Sequence, residues 1–325
     1  MRKNRKHLAV LLAAALIAAV LLVGWLHTDF KAAEKSGFAM GTVVTVRLYG
    51  GSEDDAAAAL AAVTGLENEI SRNIDTSAVS ALNRTGRASG TVLADAVNAC
   101  RTVSEASDGA FDITVGGLTR LWDFDNGGRL PDAGDIEAVL PYIDYNRLAA
   151  DGDTVTAERG TEVDFGAVGK GAACDAVRDV LAARGVRGAV VSVGGSVLAY
   201  GRRNAAGDKW RVAVRHPREA DAYLGVITLA EGCVSTSGDY EKYFEKDGVR
   251  YHHLLDPATG YPAASGLCSV TVVCESGLLS DALSTACFVL GEARGAALVE
   301  SFGAGAVFVR ADGTVKTVGA VEFTP

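Results

Sequence analysis

The sequence predicts an α+β protein, a mixed and largely antiparallel sheet with helices packed on it, preceded by one N-terminal transmembrane helix. Three observations carry this. Strand-like segments outnumber helical ones, and several are joined by turns far shorter than a parallel crossover requires. An apolar run without a charged residue extends from Leu8 to Leu26, behind Arg2, Lys3, Arg5 and Lys6. Among 325 residues, 49% are apolar and 22% charged, a globular balance that excludes disorder as the main character.

The N-terminal run has 19 residues; at about 1.5 Å each they span roughly 28 Å, the thickness of a bilayer core. A basic flank stays in the cytoplasm, so a single-pass bacterial cell-membrane protein with an extracytoplasmic body is expected. The run ends in Trp25-Leu26-His27-Thr28, a poor cleavage site, and exceeds the usual secretory length. An uncleaved anchor is favoured over a cleaved signal. The chain divides into an anchor at 1–27, a short linker at 28–36 and one continuous domain at 37–325. The formal charge is −9, and without the four N-terminal cations the remainder carries −13. Such an acidic body argues against nucleic-acid binding.

Val43 to Leu48 alternates as a strand. Ser52 to Ile70 is helical, with Leu60, Val63, Leu66 and Ile70 on one face and Ser52 as N-cap. Thr91 to Ser107 is a second helix, and Lys170 to Ala183, stopping at Gly185, a third. Ala189 to Val193 and Ser196 to Tyr200 are strands about the Gly194-Gly195 turn. Trp210 to Val214, Leu224 to Leu229 and Ser269 to Val273 are further strands. Leu279 to Leu290 is a helix ended by Gly291, followed by a shorter one. Ala306 to Val309 and Val315 to Val318 flank Asp312-Gly313 as a closing hairpin. The six cysteines fit no zinc spacing or compact disulfide scaffold and read as small buried residues; export would permit pairing, which stays open.

Four polar constellations stand out. Gly109 to Thr114 lies just past a helix and could present backbone to a ligand or simply turn. Val163 to Gly171 is Gly-rich and leads into a helix, so its N–H groups, the helix dipole and Lys170 suit an anion, although the Walker A spacing is missing. Ser235 to Tyr240 is hydroxyl-rich and precedes Tyr251-His252-His253-Leu254-Leu255-Asp256-Pro257. His is a general base near neutral pH, but adjacent strand residues point to opposite faces, so the two His do not chelate one ion. Asp281 and Thr285 share a helical face, and a carboxylate with a hydroxyl suits Mg²⁺.

Taken in order, these segments resemble the ApbE family, the FAD:protein FMN transferases. The markers are Met40-Gly41-Thr42, Ala110-Phe111-Asp112 with Trp122, Asp164-Phe165-Gly166-Ala167 with Lys170-Gly171, and Val193-Gly194-Gly195. They continue with Thr236 to Tyr240, His253-Leu254-Leu255-Asp256-Pro257 with Thr259-Gly260, and Asp281 to Thr285. The resemblance implies cleavage of FAD at its pyrophosphate and transfer of FMN to a Thr or Ser hydroxyl of a partner flavoprotein, with release of AMP. The acceptor motif of the family is similar to D-x-x-T/S-G-A-T/S, and the cation is Mg²⁺. By the resemblance, Met40, Ala110, Phe111, Asp112, Asp164, Lys170 and Leu254 contact FAD. Asp281, the Thr285 hydroxyl and the Ala167 carbonyl hold the metal. Lys170 stabilises the leaving charge, and His253 or Asp256 is the base. Many members carry a flavin-stacking aromatic residue where this chain has Asn73. Two other readings use the same segments: an FAD pyrophosphatase with water as acceptor, and an exported flavin-binding protein without catalysis.

Overall fold

The computed structural model describes residues 15–325. The basic flank and the start of the apolar run lie outside the described residues. Helix α1 (Ala15–Leu26) is the described part of that run. Strands β1 (Ala32–Ala39) and β2 (Thr42–Tyr49) follow as a hairpin, then helices α2 (Glu53–Ile70) and α3 (Ala78–Thr85). Next come β3 (Arg87–Ser89), α4 (Thr91–Ala106), α5 (Gly116–Trp122), α6 (Ala133–Val139), β4 (Leu148–Asp151) and β5 (Thr154–Ala157). Helix α7 (Gly169–Ala183) leads into β6 (Gly188–Val193), β7 (Ser196–Gly201), β8 (Trp210–Arg215), β9 (Tyr223–Leu229) and β10 (Gly232–Gly238). The chain ends with β11 (Tyr243–Lys246), β12 (Val249–His252), β13 (Leu267–Cys274), α8 (Gly277–Ser301), β14 (Gly305–Arg310), β15 (Val315–Gly319) and β16 (Glu322–Thr324).

The expected sheet is present. Eight strands run in the order β1-β2-β6-β7-β10-β13-β14-β15, each antiparallel to its neighbours. Strand alternation sorts its two faces. Val44, Val46, Leu48, Val191, Val193 and Leu198 pack under α2 and α7 with Val63, Val177 and Leu181. Val270, Val272, Ala306 and Phe308 pack under α8 and α4. On the opposite face Tyr49, Ala199, Val234 and Val307 meet Trp210 and Ile227 of the small β16-β9-β8 sheet.

Local signals explain the helix ends. Ser52 caps α2 in a capping box with Asp55. Gly291 (φ 77°, ψ 173°) breaks α8 where the sequence stops its helix, and a second segment continues. By length and composition α8 could cross a membrane, but over half of its apolar window is buried, as suits a core helix.

The segment expected as a linker is built into the domain. His27 Nδ1 lies 2.8 Å from the Asp208 carboxylate, and Phe30 N–H donates to the Arg203 carbonyl at 2.7 Å. Fully buried Asn204 donates to the His27 carbonyl at 3.2 Å. Residues 32–36 then belong to edge strand β1. Glu34 and Lys35 interrupt its apolar pattern, a usual way to protect a sheet edge, and so conceal it from the sequence. All six cysteines are free, and all but the half-buried Cys274 are buried.

Candidate active site

Helices α7 and α8 cross at their first turns. There Gly171 and Gly277 meet so closely that a Cβ on either would overlap the carbonyl oxygen of the other. The carboxylates four residues further on then reach across. Asp281 Oδ2 accepts the Gly171 N–H at 2.6 Å. Asp175 accepts the Gly277 N–H at 2.7 Å, the Leu278 N–H at 2.9 Å and the Ser276 hydroxyl at 2.9 Å.

Asp281 is 4% exposed. Its second oxygen accepts the Ser196 hydroxyl at 2.7 Å, and Ser196 in turn accepts from Ser235 at 3.2 Å. Among the described residues no cation pairs with it. One turn on, Thr285 lies 3.1 Å from the Ser237 hydroxyl, which also touches Ser284 at 2.7 Å. Gly171 lies in the first turn of α7, where backbone N–H groups have no partner within the helix, and Asp281 takes its N–H. Among the described residues no backbone N–H bonds to the Ala167 carbonyl, which lies just before the helix. No three His, Cys, Asp or Glu side chains cluster as a metal site among the described residues. The donors here are one uncompensated carboxylate, a hydroxyl and a carbonyl, a hard-oxygen set that fits Mg²⁺.

Val168, the residue before α7, supplies no side-chain cap of its own, and Lys170 lies against the Gly194-Gly195 turn. Met40 and Gly41 form the two-residue turn between β1 and β2 with φ of 53° and 67°, a left-handed pair that suits hairpin twist. Glu67 accepts the Met40 N–H at 2.9 Å, and the Met40 sulfur lies beside Gly169 at the α7 start. His253 is half-buried. Its N–H donates to the Lys242 carbonyl at 3.0 Å, and its Nδ1 lies 3.2 Å from the same oxygen. A carbonyl only accepts, so Nδ1 carries the proton and Nε2 is the free base. Burial, then the charges of Lys170 and Lys242, push the imidazole down to about 3, so it is neutral at ordinary pH. His252 faces away, edge-on to Phe288, as strand alternation requires.

The other expected contacts divide. Asp164 accepts from Gly166 N–H at 2.8 Å, Thr119 hydroxyl at 2.7 Å and Arg72 Nε at 3.0 Å. Its N–H donates to the Ile113 carbonyl at 2.8 Å, which joins its loop to the segment from Ala110 to Asp112. Asp112 is buried and accepts from Thr114 N–H and hydroxyl at 2.8 and 2.7 Å; burial raises its pKa despite those bonds. Phe111 and Leu254 are buried in the hydrophobic core. Asp256 holds its own turn through the Ala258 N–H at 2.9 Å, and Trp122 clamps that turn by donating to the Gly260 carbonyl at 2.8 Å. Asn73 is exposed and lies next to Arg72 in the loop after α2. Sequence reading missed Ser196, Arg72 and Lys242. Ser196 directly follows the noted Gly-Gly turn, whereas nothing local distinguishes Arg72 or Lys242 from solvated surface cations.

An antiparallel sheet carrying a glycine-rich helix start beside a buried, uncompensated carboxylate defines the class. The ApbE family model matches residues 40–308, and the chain belongs to this family. It is 34% identical over 85% of its length to an FAD:protein FMN transferase of Treponema pallidum, covering 84% of that protein. It is 33% identical over 87% of its length to one of Klebsiella pneumoniae, covering 90%. Among solved structures, the ApbE protein of Thermotoga maritima superposes with a TM-score of 0.80 at 33% identity, over 89% of this chain and 97% of that one. The apo form of the Pseudomonas stutzeri flavinyl transferase ApbE superposes at 0.78 and 34% identity, over 90% and 96%.

Proposed function

We propose that this chain is an FAD:protein FMN transferase that moves FMN from FAD onto a Thr or Ser hydroxyl of an acceptor flavoprotein and releases AMP. The observation that carries the reading is Asp281, a buried carboxylate with two neutral donors and no counter-charge among the described residues. Such a group is costly unless a cation joins it. Asp281, the Thr285 hydroxyl and the Ala167 carbonyl would hold Mg²⁺. When bound, the ion supplies charge neutralisation at the pyrophosphate.

The chain's own residues do the rest. The dipole end of α7 and Lys170 hold the pyrophosphate, and Lys170 stabilises charge on the departing AMP. His253 Nε2 takes the proton of the acceptor hydroxyl, whose oxygen attacks the phosphorus of the FMN half. The bond from that phosphorus to the AMP oxygen breaks, and AMP leaves with the electron pair. Asp256, committed to its own turn, is structural in this reading, which leaves His253 as base. Ala110, Asp112 and Asp164 line the flavin side, with Met40 against the start of α7. Phe111 and Leu254 contribute backbone and packing. The acceptor carries a D-x-x-T/S-G-A-T/S segment, and α1 belongs to a single-pass anchor that holds the domain on the extracytoplasmic face of the cell membrane.

The test uses the full-length chain in mild detergent with FAD, Mg²⁺ and a protein bearing the acceptor motif. The acceptor is expected to gain one FMN unit in intact mass, and EDTA should abolish the gain. AMP release without any acceptor would make the chain a pyrophosphatase, and FAD recovered intact with several acceptors would make it a binding protein.

A further inference from the structure

The crossing of α7 and α8 is reciprocal. In both helices a glycine sits at the contact and an aspartate follows four residues later, as Gly171 with Asp175 and Gly277 with Asp281. Each aspartate accepts N–H groups from the first turn of the other helix. The first-turn N–H groups of a helix have no partner of their own, so each carboxylate caps the neighbour. The two ends differ in charge. Asp175 is neutralised by Arg178 at 2.6 Å, and that guanidinium also reaches the Cys233 sulfur at 3.2 Å and the Glu275 carbonyl at 2.5 Å. Asp281 has no such partner.

We infer that Asp175 is a positioning residue for the cation site, acting through α8. With four donors on one carboxylate it fixes the start of α8 against α7. Asp281 lies one turn beyond Gly277 on α8, and the Ala167 carbonyl lies in the turn that leads directly into α7. The spacing between those two oxygens is therefore set by the register of the helices, and Asp175 sets the register. Groups behind the ligands of a metal commonly govern affinity in this way. The inference rests on the proposed cation site and adds a residue that touches neither metal nor substrate.

The experiment measures Mn²⁺ binding to the full-length chain without FAD, by loss of the free-ion electron paramagnetic resonance signal, for wild type, Asp175→Asn, Asp175→Glu and Val177→Ala. Val177 is fully buried on the same helix and outside the clasp, so its truncation destabilises α7 without touching Asp175. Asp175→Asn is expected to weaken Mn²⁺ binding about 10-fold and raise the half-saturating Mg²⁺ for transfer equally, with the rate at saturating Mg²⁺ retained. Asp175→Glu should recover part of the affinity, and Val177→Ala should keep wild-type affinity despite its lower stability. Equal affinities in Asp175→Asn and wild type, or an equal loss in Val177→Ala, would overturn the inference. If Asp175→Asn does not fold, Ser276→Ala removes one of the four donors and should give a smaller shift in the same direction; unchanged affinity there also overturns it. Failure of wild type to bind Mn²⁺ would instead sink the cation site itself.

Discussion

Asp175 and Asp281 each lie four residues past the contact glycine and cap the first turn of the other's helix, yet they lie in opposite electrostatic settings. At one end Arg178 sits 2.6 Å from the carboxylate and closes the site. At the other the carboxylate is 4% exposed and meets only a backbone N–H and a serine hydroxyl. A partly buried ion pair with every lone pair used contributes strength and has nothing left to offer a ligand. An uncompensated buried carboxylate costs stability and holds binding energy in reserve for a cation. One packing device thus serves as a fastener at one end and, in the proposed function, as a receptor at the other, and a single guanidinium separates them.

The comparison breaks most visibly in rate. Asp281→Asn should lower FMN transfer by roughly 100-fold at fixed Mg²⁺ while changing the urea midpoint less than Asp175→Asn does. If the two variants lose rate and stability in the same proportion, the division of roles is wrong. Next, Gly171→Ala and Gly277→Ala should each cost about 1–3 kcal/mol by overpacking against a carbonyl that cannot move aside. Similar costs in urea melts support the reciprocal crossing, and a tolerated alanine at either position refutes it. Arg178→Met should cost about 1–2 kcal/mol and leave transfer at saturating Mg²⁺ unchanged, which sharpens the claim that its end is structural.

The smallest effect is in pH. The folded state holds the His253 imidazole at about 3, against about 6.5 when unfolded. Folded protein therefore binds fewer protons, and the contribution of this group is full above pH 6.5 and lost as pH falls toward 3. Between pH 7 and 5 wild type should lose stability by less than about 1.4 kcal/mol per pH unit, and His253→Gln should flatten that slope.

Much of this was legible in the sequence because the signals are local. The spacing of Asp281 and Thr285 placed both on one helical face, Ser52 announced its helix, and Gly291 announced a break. The largely antiparallel character of the sheet followed from short turns such as Gly194-Gly195. What the sequence withheld depends on packing. Gly171 to Asp175 and Gly277 to Asp281 are both readable as a glycine and an aspartate four apart, but nothing relates them until the helices cross. The sequence does not distinguish His253 from Asp256 as the proposed base; His253 is favoured because an Asp256 oxygen holds its own turn and the His253 Nδ1 faces a carbonyl. Phe111 and Leu254 lie among marker residues, and only burial shows that their side chains serve the core. The short elements between Ala110 and Thr161 carry too few residues each to show a period.

Strand β1 has a mechanical consequence. It runs from just beyond α1 to the Met40 turn, and its eight residues at about 3.3 Å each measure roughly 26 Å. Both ends are fastened, one by the contacts around Asn204 and the other by the hairpin with β2. The chain between the apolar helix and the site therefore has no slack and works as a strut rather than a tether. The Met40 turn beside the start of α7 is thereby held at a fixed distance from the end of the apolar helix and cannot swing away from it.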